Sequence, residues 1–289
     1  MLLRPKEFCL PVDGDEVVDL LERYGDAALI LAGGTFVHGL EARGLLSEVE
    51  AIIDIQKLDL GVVDTDSEGL RAGATTTAAA LEQAPAVRSD PWLGALSDAL
   101  AYLSPQIRNV ATVGGSVAAA CPFFDLPVAF VALDGSVDAR GRGGTRTIGL
   151  EEFFTGMFES SLLPGEFLVE LRLPQAPPRS ASAFLKLETN ASDLAIVNTA
   201  VRVTLDEGGA CTEARVVLGG VGSTPVRSPA AERVLRGASL DGDVLQAAGE
   251  AVAADIEPLS DHRASGAYRR AVAKVLVRRA LERALTRLK

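Results

Sequence analysis

The residues best suited to chemistry in this chain are two glycine pairs set among hydroxyls, not acids, bases or nucleophiles. They are Ala32-Gly33-Gly34-Thr35 and Thr112-Val113-Gly114-Gly115-Ser116. Each follows or adjoins an apolar run that reads as a strand. Glycine lets the backbone approach a ligand closely and adopt positive φ, which turns successive N–H groups toward an anion. Neither loop carries Lys or Arg. A pyrophosphate there would be held by backbone N–H groups and by the hydroxyls of Thr35, Thr112 and Ser116. Two such loops can wrap the two phosphates of one dinucleotide. Their spacing matches neither the Walker loop nor G-x-G-x-x-G, and either pair alone is also compatible with a tight turn.

Other chemistries find little support. The chain has two histidines, His38 and His262, and three cysteines, Cys9, Cys121 and Cys211. There is no H-E-x-x-H or C-x-x-C, so neither a zinc site nor a redox pair is expected. Four thiolates are the usual set for a [2Fe–2S] cluster, so this chain cannot hold one alone. No G-x-S-x-G turn presents a nucleophile. Chemistry, if present, comes from a bound cofactor. No catalytic residue and no metal ligand is assigned.

Composition narrows the partners. The chain has 289 residues, with 48% hydrophobic and 23% charged residues and a net charge of −11. Such a balance suits a globular protein with a sizeable core and argues against nucleic acid or an anionic membrane as a partner. No apolar stretch is long enough to span a bilayer. Met1 to Glu7 has no signal-peptide core, so a cytoplasmic location is expected.

The elements that must position the glycine pairs can be read in outline. Asp13 and Asp15 offer caps to a helix carrying Val17, Val18, Leu20 and Leu21, with Gly25 at its end. Ala28 to Leu31 and Ala51 to Ile55 read as buried strands. Leu70 to Ala74 reads as a strand, with Thr75-Thr76-Thr77 capping a helix from Ala78. A helix is expected over about Trp92 to Leu103. Strands are expected at Val137 to Arg140 and Glu166 to Leu173. Gln175 to Ser180 reads as a linker. Beyond it come strands at 183–187, 200–205 and 214–218, then helices. The final helix, about Ala264 to Leu288, is expected to bury Tyr268, Val272, Val275 and Leu276 and to solvate Arg269, Arg270, Lys274, Arg278, Arg279 and Arg283.

Further segments join the glycine pairs. They are Leu70-Arg71-Ala72-Gly73-Ala74-Thr75-Thr76, the run Pro105-Gln106-Ile107-Arg108-Asn109-Val110-Ala111 before the second pair, Asp125-Leu126-Pro127, and Ser260-Asp261-His262-Arg263-Ala264-Ser265-Gly266-Ala267-Tyr268-Arg269-Arg270. Taken together and in order, these resemble the FAD-binding medium subunits of molybdenum hydroxylases. That family includes carbon monoxide dehydrogenase medium subunits and the flavin domain of xanthine dehydrogenase. The Q-I-R-N-x-x-T-x-G-G run is the most specific part.

The resemblance implies an α+β fold. A two-subdomain FAD-binding unit of the vanillyl-alcohol-oxidase (PCMH) type would span 1–175, divided at about 58. A small antiparallel sheet with helices would span 180–289. It implies that FAD contacts Ile30, Leu31, Ala32, Gly33, Gly34, Thr35, Phe36 and Val37, and Ala111, Thr112, Val113, Gly114, Gly115 and Ser116. It also implies contacts from Asp125, Tyr102, Leu168 and Lys186. Ser116 stands where the family usually has asparagine, and Cys121 where Asp or Ser is frequent.

The resemblance further implies a role as an electron outlet. A large partner would carry the molybdenum cofactor and a small one two [2Fe–2S] clusters, in a dimer of heterotrimers. Two other readings stay open. One is a stand-alone flavin oxidase or dehydrogenase with FAD attached through His38 or Cys121. The other is a flavin-free scaffold, which would have no need of the glycines.

Overall fold

A computed structural model of the chain describes residues 5–190 and 193–288. The first four residues, read above for a leader sequence, lie outside the described residues.

The N-terminal sheet is parallel. Strands β1 (Glu7–Cys9), β2 (Ala28–Leu31) and β3 (Ala51–Asp54) lie in the order β1-β3-β2. Helix α1 (Gly14–Tyr24) makes the first crossover. The Asp13 carboxylate accepts the N–H groups of Asp15 and Glu16 at 3.0 and 2.9 Å, and Gly25 ends the helix at φ +50°. Helix α2 (Thr35–Glu41) follows β2 directly across the first glycine pair. Val17, Val18, Ile53 and Ile55 pack with Phe167 of the next unit.

The second sheet is antiparallel, with β4 (Val63–Asp66), β5 (Gly69–Gly73), β6 (Ser136–Gly141), β7 (Gly144–Gly149) and a later strand in the order β4-β5-later-β6-β7. Between β5 and β6 run the short helices α3 (Ala78–Gln83), α4 (Pro85–Ser89), α5 (Gly94–Ala101), α6 (Pro105–Arg108), α7 (Val113–Ala118) and α8 (Asp125–Ala132). Helix α9 (Leu150–Phe153) leads into the hairpin β8 (Phe154–Gly156) and β9 (Glu159–Ser160). The later strand is β10 (Phe167–Pro174), which pairs with both β5 and β6 and carries an irregularity between Leu168 and Glu170. Every residue of α8 is buried. A helix apolar on all sides belongs inside a core, and α8 lies between the second sheet's helices and the third sheet.

The third sheet has β11 (Ser180–Leu187), β12 (Val197–Leu205), β13 (Cys211–Gly219) and β14 (Val226–Arg227) in sequential antiparallel order. Helices α10 (Pro229–Leu235), α11 (Gly242–Ala251) and α12 (Gly266–Thr286) cover it.

Several expectations need correction. The second glycine pair lies within the first turn of α7, not in an open loop, and no strand precedes it. Its nearest upstream element is α6. Thr77 alone of the three threonines caps α3, accepting the Ala80 N–H at 3.1 Å. Strand β4, with sequence Val-Asp-Thr-Asp, has too little apolar content to be read as a strand. It forms because β5 offers an open edge.

The last helix is turned by about one residue from its expected orientation. Tyr268 and Val275 are exposed, while Arg269 is buried with Ala273, Leu276, Val277, Ala280 and Leu281. The polar face is not solvated throughout. Arg270 donates to the carbonyls of Ala253 and Ile256, and Arg283 pairs with Asp98 of α5. Buried guanidinium groups are tolerated because carbonyls and carboxylates replace their water. Hydrophobic periodicity cannot register that replacement.

Candidate flavin site

The first glycine pair connects β2 to α2. A Cβ on Gly33 would lie 2.0 Å from the Val110 carbonyl oxygen and 3.0 Å from the Ala111 Cα. Gly33 therefore rests directly on the segment that leads to the second pair. Gly34 takes φ +68° and is the N-cap of α2, a conformation that costs a Cβ-bearing residue roughly 1 kcal/mol or more. From Ala32 to Val37, no backbone N–H has an acceptor among the described residues. The next N–H, of His38, donates to the Gly34 carbonyl at 3.0 Å. The turn thus presents a run of unpaired donors, which is what an anion needs.

The second pair behaves differently. The N–H of Val113 donates to Thr76 O and that of Gly114 to Ala74 O, each at 2.9 Å. The Gly115 N–H donates to Thr112 Oγ1 at 3.1 Å, and Ser116 Oγ donates to Thr112 O at 2.9 Å. A Cβ on Gly114 would lie 2.6 Å from Ala74 Cβ. These donors and the glycine itself are committed to docking α7 on the end of β5. The second pair is the floor on which the first is built. The Q-I-R-N run contributes α6, whose Arg108 pairs with Glu82 of α3. The Val110 carbonyl that receives Gly33 follows two residues later.

The remaining candidates fall into three places. Ile30 and Leu31 are in β2, where Leu31 O accepts the Ile55 N–H at 2.9 Å, so the first loop's free donors begin only after them. Ala111 is buried and its carbonyl accepts the Ala78 N–H at 2.8 Å. Leu168 is buried beside the β10 irregularity, where Val169 O accepts the Ala74 N–H at 2.9 Å.

Tyr102, Asp125 and Lys186 come together. Lys186 Nζ donates to Asp125 Oδ2 at 2.8 Å and lies 3.0 Å from Glu188 Oε2 and 5.3 Å from the Tyr102 ring centroid. Asn198 Nδ2 donates to Asp125 Oδ1 at 2.7 Å and to Phe124 O at 3.2 Å. The Asp125 and Lys186 side chains are only 4% and 2% exposed. Burial pushes the Asp125 carboxyl above the usual carboxylate range, against the pull of Lys186 and Asn198. Each carboxylate oxygen thus already has a protein donor, so Asp125 ties α8 to β11 and β12. Asn198 and Glu188 were not singled out from sequence. A signal existed, since Asn198 interrupts an otherwise apolar strand start and Glu188 lies two residues from Lys186, on the same strand face.

An aromatic group adjoins the first pair. The Phe36 ring stacks on Phe158 at 5.9 Å and meets the edge of Phe124 at 5.5 Å. Phe158 sits at φ +63° between β8 and β9, its N–H bonded at 3.0 Å to the carbonyl of Ala120, itself at φ +42°.

Nucleophilic attachment of a cofactor is poorly served. Cys121 is buried, and burial pushes its thiol up to about 11. Cys211 is in the same position, at about 11. At neutral pH both stay protonated and inert. Iodoacetamide at pH 7 should leave Cys121 and Cys211 unmodified in the folded protein and label both in urea. Peptide mass mapping checks this, and rapid labelling of native Cys121 would contradict it. Among the described residues, no group of three or more His, Cys, Asp or Glu side chains is arranged to hold a metal ion. None of the described helices is long and apolar enough to cross a membrane.

The glycine cradle and its unpaired donors fit a pyrophosphate without any basic side chain, and comparison with known proteins agrees. Residues 4–176 match the family described as the FAD binding domain in molybdopterin dehydrogenase. Residues 182–284 match the CO dehydrogenase flavoprotein C-terminal domain. The chain is 37% identical over 276 residues to the 6-hydroxypseudooxynicotine dehydrogenase complex subunit alpha of Paenarthrobacter nicotinovorans, covering 94% of this chain and 92% of that one. It is 32% identical over 280 residues to the carbon monoxide dehydrogenase medium chain of Afipia carboxidovorans, covering 95% and 94%. Among solved structures, reconstituted CO dehydrogenase from Oligotropha carboxidovorans aligns with a TM-score of 0.93 at 30% identity, over 99% of this chain and 100% of that one.

Proposed function

The chain belongs to the family of FAD-binding subunits of molybdopterin dehydrogenases, and from that premise we propose that it is the electron-transfer subunit of a heteromeric molybdenum hydroxylase. In this reading its first two sheets form a two-subdomain FAD-binding unit of the PCMH type. Its partners are a large molybdopterin-binding subunit and a small subunit with two [2Fe–2S] clusters, assembled as a dimer of heterotrimers. Substrate chemistry takes place on the large partner.

The observation that carries this reading is the run of unpaired N–H groups from Ala32 to Val37, braced through Gly33 on Val110. Bound FAD supplies the redox chemistry, accepting electrons singly and releasing them as a pair. The chain's own residues bind and orient. The Ala32–Val37 N–H groups and the Thr35 hydroxyl hold the pyrophosphate. Thr112, Gly114 and Gly115 keep α7 seated beneath it. Phe36 and Phe158 wall the adjoining space against water. Lys186, fixed by Asp125 and Glu188, keeps one positive charge at a set place beside Tyr102. No acid–base residue is required of this chain.

The protein coexpressed with its neighbouring genes is expected to copurify with two further subunits and to show flavin absorption near 450 nm, in the range usual for flavoproteins. Acid precipitation is expected to release all of the flavin into the supernatant. Colourless protein would overturn the reading. Flavin that stays with the precipitate would favour the stand-alone oxidase with covalent FAD, which the protonated Cys121 thiol argues against.

A further inference from the structure

The motif Ser260 to Arg270 has no part in the site as described so far, yet it reaches toward it. We infer that Arg263 and Arg269, held by Asp261, are positioning residues through which the C-terminal part of the chain sets the first glycine loop and hence FAD affinity. This rests on the flavin reading above.

The contacts form one continuous path. Asp261 accepts the N–H groups of Arg263 and Ala264 at 2.8 and 3.0 Å and the Arg269 guanidinium at 2.7 Å. Gly266 donates to Ser260 Oγ at 2.9 Å, and a Cβ on Gly266 would lie 2.3 Å from the Pro258 carbonyl. The turn before α12 is therefore rigid. From it the Arg263 guanidinium lies 4.3 Å from the Phe123 ring centroid, and that of Arg269 lies 5.7 Å away. Two cations facing one ring form a desolvated cation–π cluster.

The same guanidinium groups order the backbone around Phe123. Arg263 Nη1 donates to the carbonyls of Leu194 and Ala195 at 3.4 and 3.3 Å, and Ala195 N–H donates to Phe123 O at 3.4 Å. Arg269 Nη1 donates to the carbonyls of Ile196 and Gly220, and Gly220 N–H donates to Pro122 O at 2.9 Å. The Phe123–Phe124 segment is thus gripped on its ring and on its carbonyls. Phe124 meets Phe36 at 5.5 Å, and Phe36 lies within the run of free N–H donors.

Burial works against the Asp261 carboxylate, but the N–H groups of Ala264 and Arg263 and the Arg269 guanidinium hold it well below the usual carboxylate range. A depressed carboxylate contributes fully above its unfolded pKa and is lost only as pH falls through the lower folded value. The clamp should therefore persist down to about pH 4.

Arg263 suits a test because its side chain is at the edge of the packing, 15% exposed, whereas Arg269 is 1% exposed and supports the fold. The protein is purified with its accompanying subunits, freed of flavin and titrated with FAD. Arg263→Ala and Phe123→Leu are each expected to raise the FAD Kd about tenfold, the size of a desolvated cation–π contact. Both should also alter the visible circular dichroism of the bound flavin and leave the thermal midpoint of the flavin-free protein within about 2 °C, as for a minor surface change. The double variant should be no weaker than either single one, because both remove the same contact. Unchanged Kd in both variants would overturn the clamp, as would fully additive losses. Wild-type protein that takes up no FAD would instead overturn the flavin reading on which the clamp rests.

Discussion

Gly33→Val should abolish FAD retention while Gly143→Ala should not affect it. The two substitutions differ in what the new side chain meets. At Gly33 the first added carbon lies 2.0 Å from Val110 O, 2.9 Å from Val110 C and 3.0 Å from Ala111 Cα. All three are backbone atoms, so no rotamer change relieves the overlap. The first loop must lift away from the floor set by α6 and α7, and the donors from Ala32 to Val37 turn with it. Overpacking of this kind costs about 1–3 kcal/mol even when the backbone shifts to accommodate it. Losing the aim of several converging donors adds to that. A loss of at least about 100-fold in FAD affinity is expected. At Gly143 nothing lies within 4 Å of the added carbon. The ratio of flavin to protein absorbance after gel filtration reads both variants. A Gly33→Val protein carrying one FAD per chain would rule out the first loop as the pyrophosphate cradle.

The second large effect is on stability. Asp125→Ala should cost about 3–5 kcal/mol, because it leaves the Lys186 ammonium buried with its main counter-ion gone. Lys186 Nζ would keep only Glu188 at 3.0 Å and the Tyr102 ring at 5.3 Å. Lys186→Met should cost less at low pH. It leaves Asp125 bonded to Asn198 at 2.7 Å, and burial already pushes this carboxyl up. A carboxyl whose folded pKa lies above its unfolded value contributes stability below the unfolded value and loses it as pH rises through the folded one. Lys186→Met should therefore weaken as pH climbs from about 4 toward 7, more steeply than the wild type. Urea midpoints at pH 5 and pH 7 separate the two variants. Equal midpoints for Asp125→Ala and the wild type would mean that the pair bears no weight in the fold.

These two predictions draw on different levels of the sequence. The glycine at position 33 was visible as a feature of composition, since the small-residue turn after Ala28–Leu31 stands out in one dimension. Its reason was not visible. The turn needs glycine because Val110, 77 positions later, brings a carbonyl against it. The second glycine pair looked equivalent to the first, yet its N–H groups are already bonded to Thr76, Ala74 and Thr112. A local pattern reports that the backbone can approach something closely. It does not report whether that something is a ligand or another part of the chain.

Caps and strands set by short-range chemistry were legible. Asp13 and Thr77 act through oxygens that accept N–H groups two or three residues on, and β3 and β12 follow from apolar content. The orientation of α12 was not legible, because the buried charge of Arg269 looks solvent-facing until the carbonyls of Ile196 and Gly220 and the carboxylate of Asp261 are brought to it.

The sequence by itself determined the family, the cofactor class and the places where the backbone must turn sharply, since these depend on residue identities in order. Only the tertiary structure decided which glycine pair keeps its donors free. It alone joined Asp125 to Lys186 across 61 positions and brought Arg263 over Phe123. Hydrogen bonds and ion pairs of that range depend on where the chain returns, and a donor is free or engaged only once every acceptor has been placed.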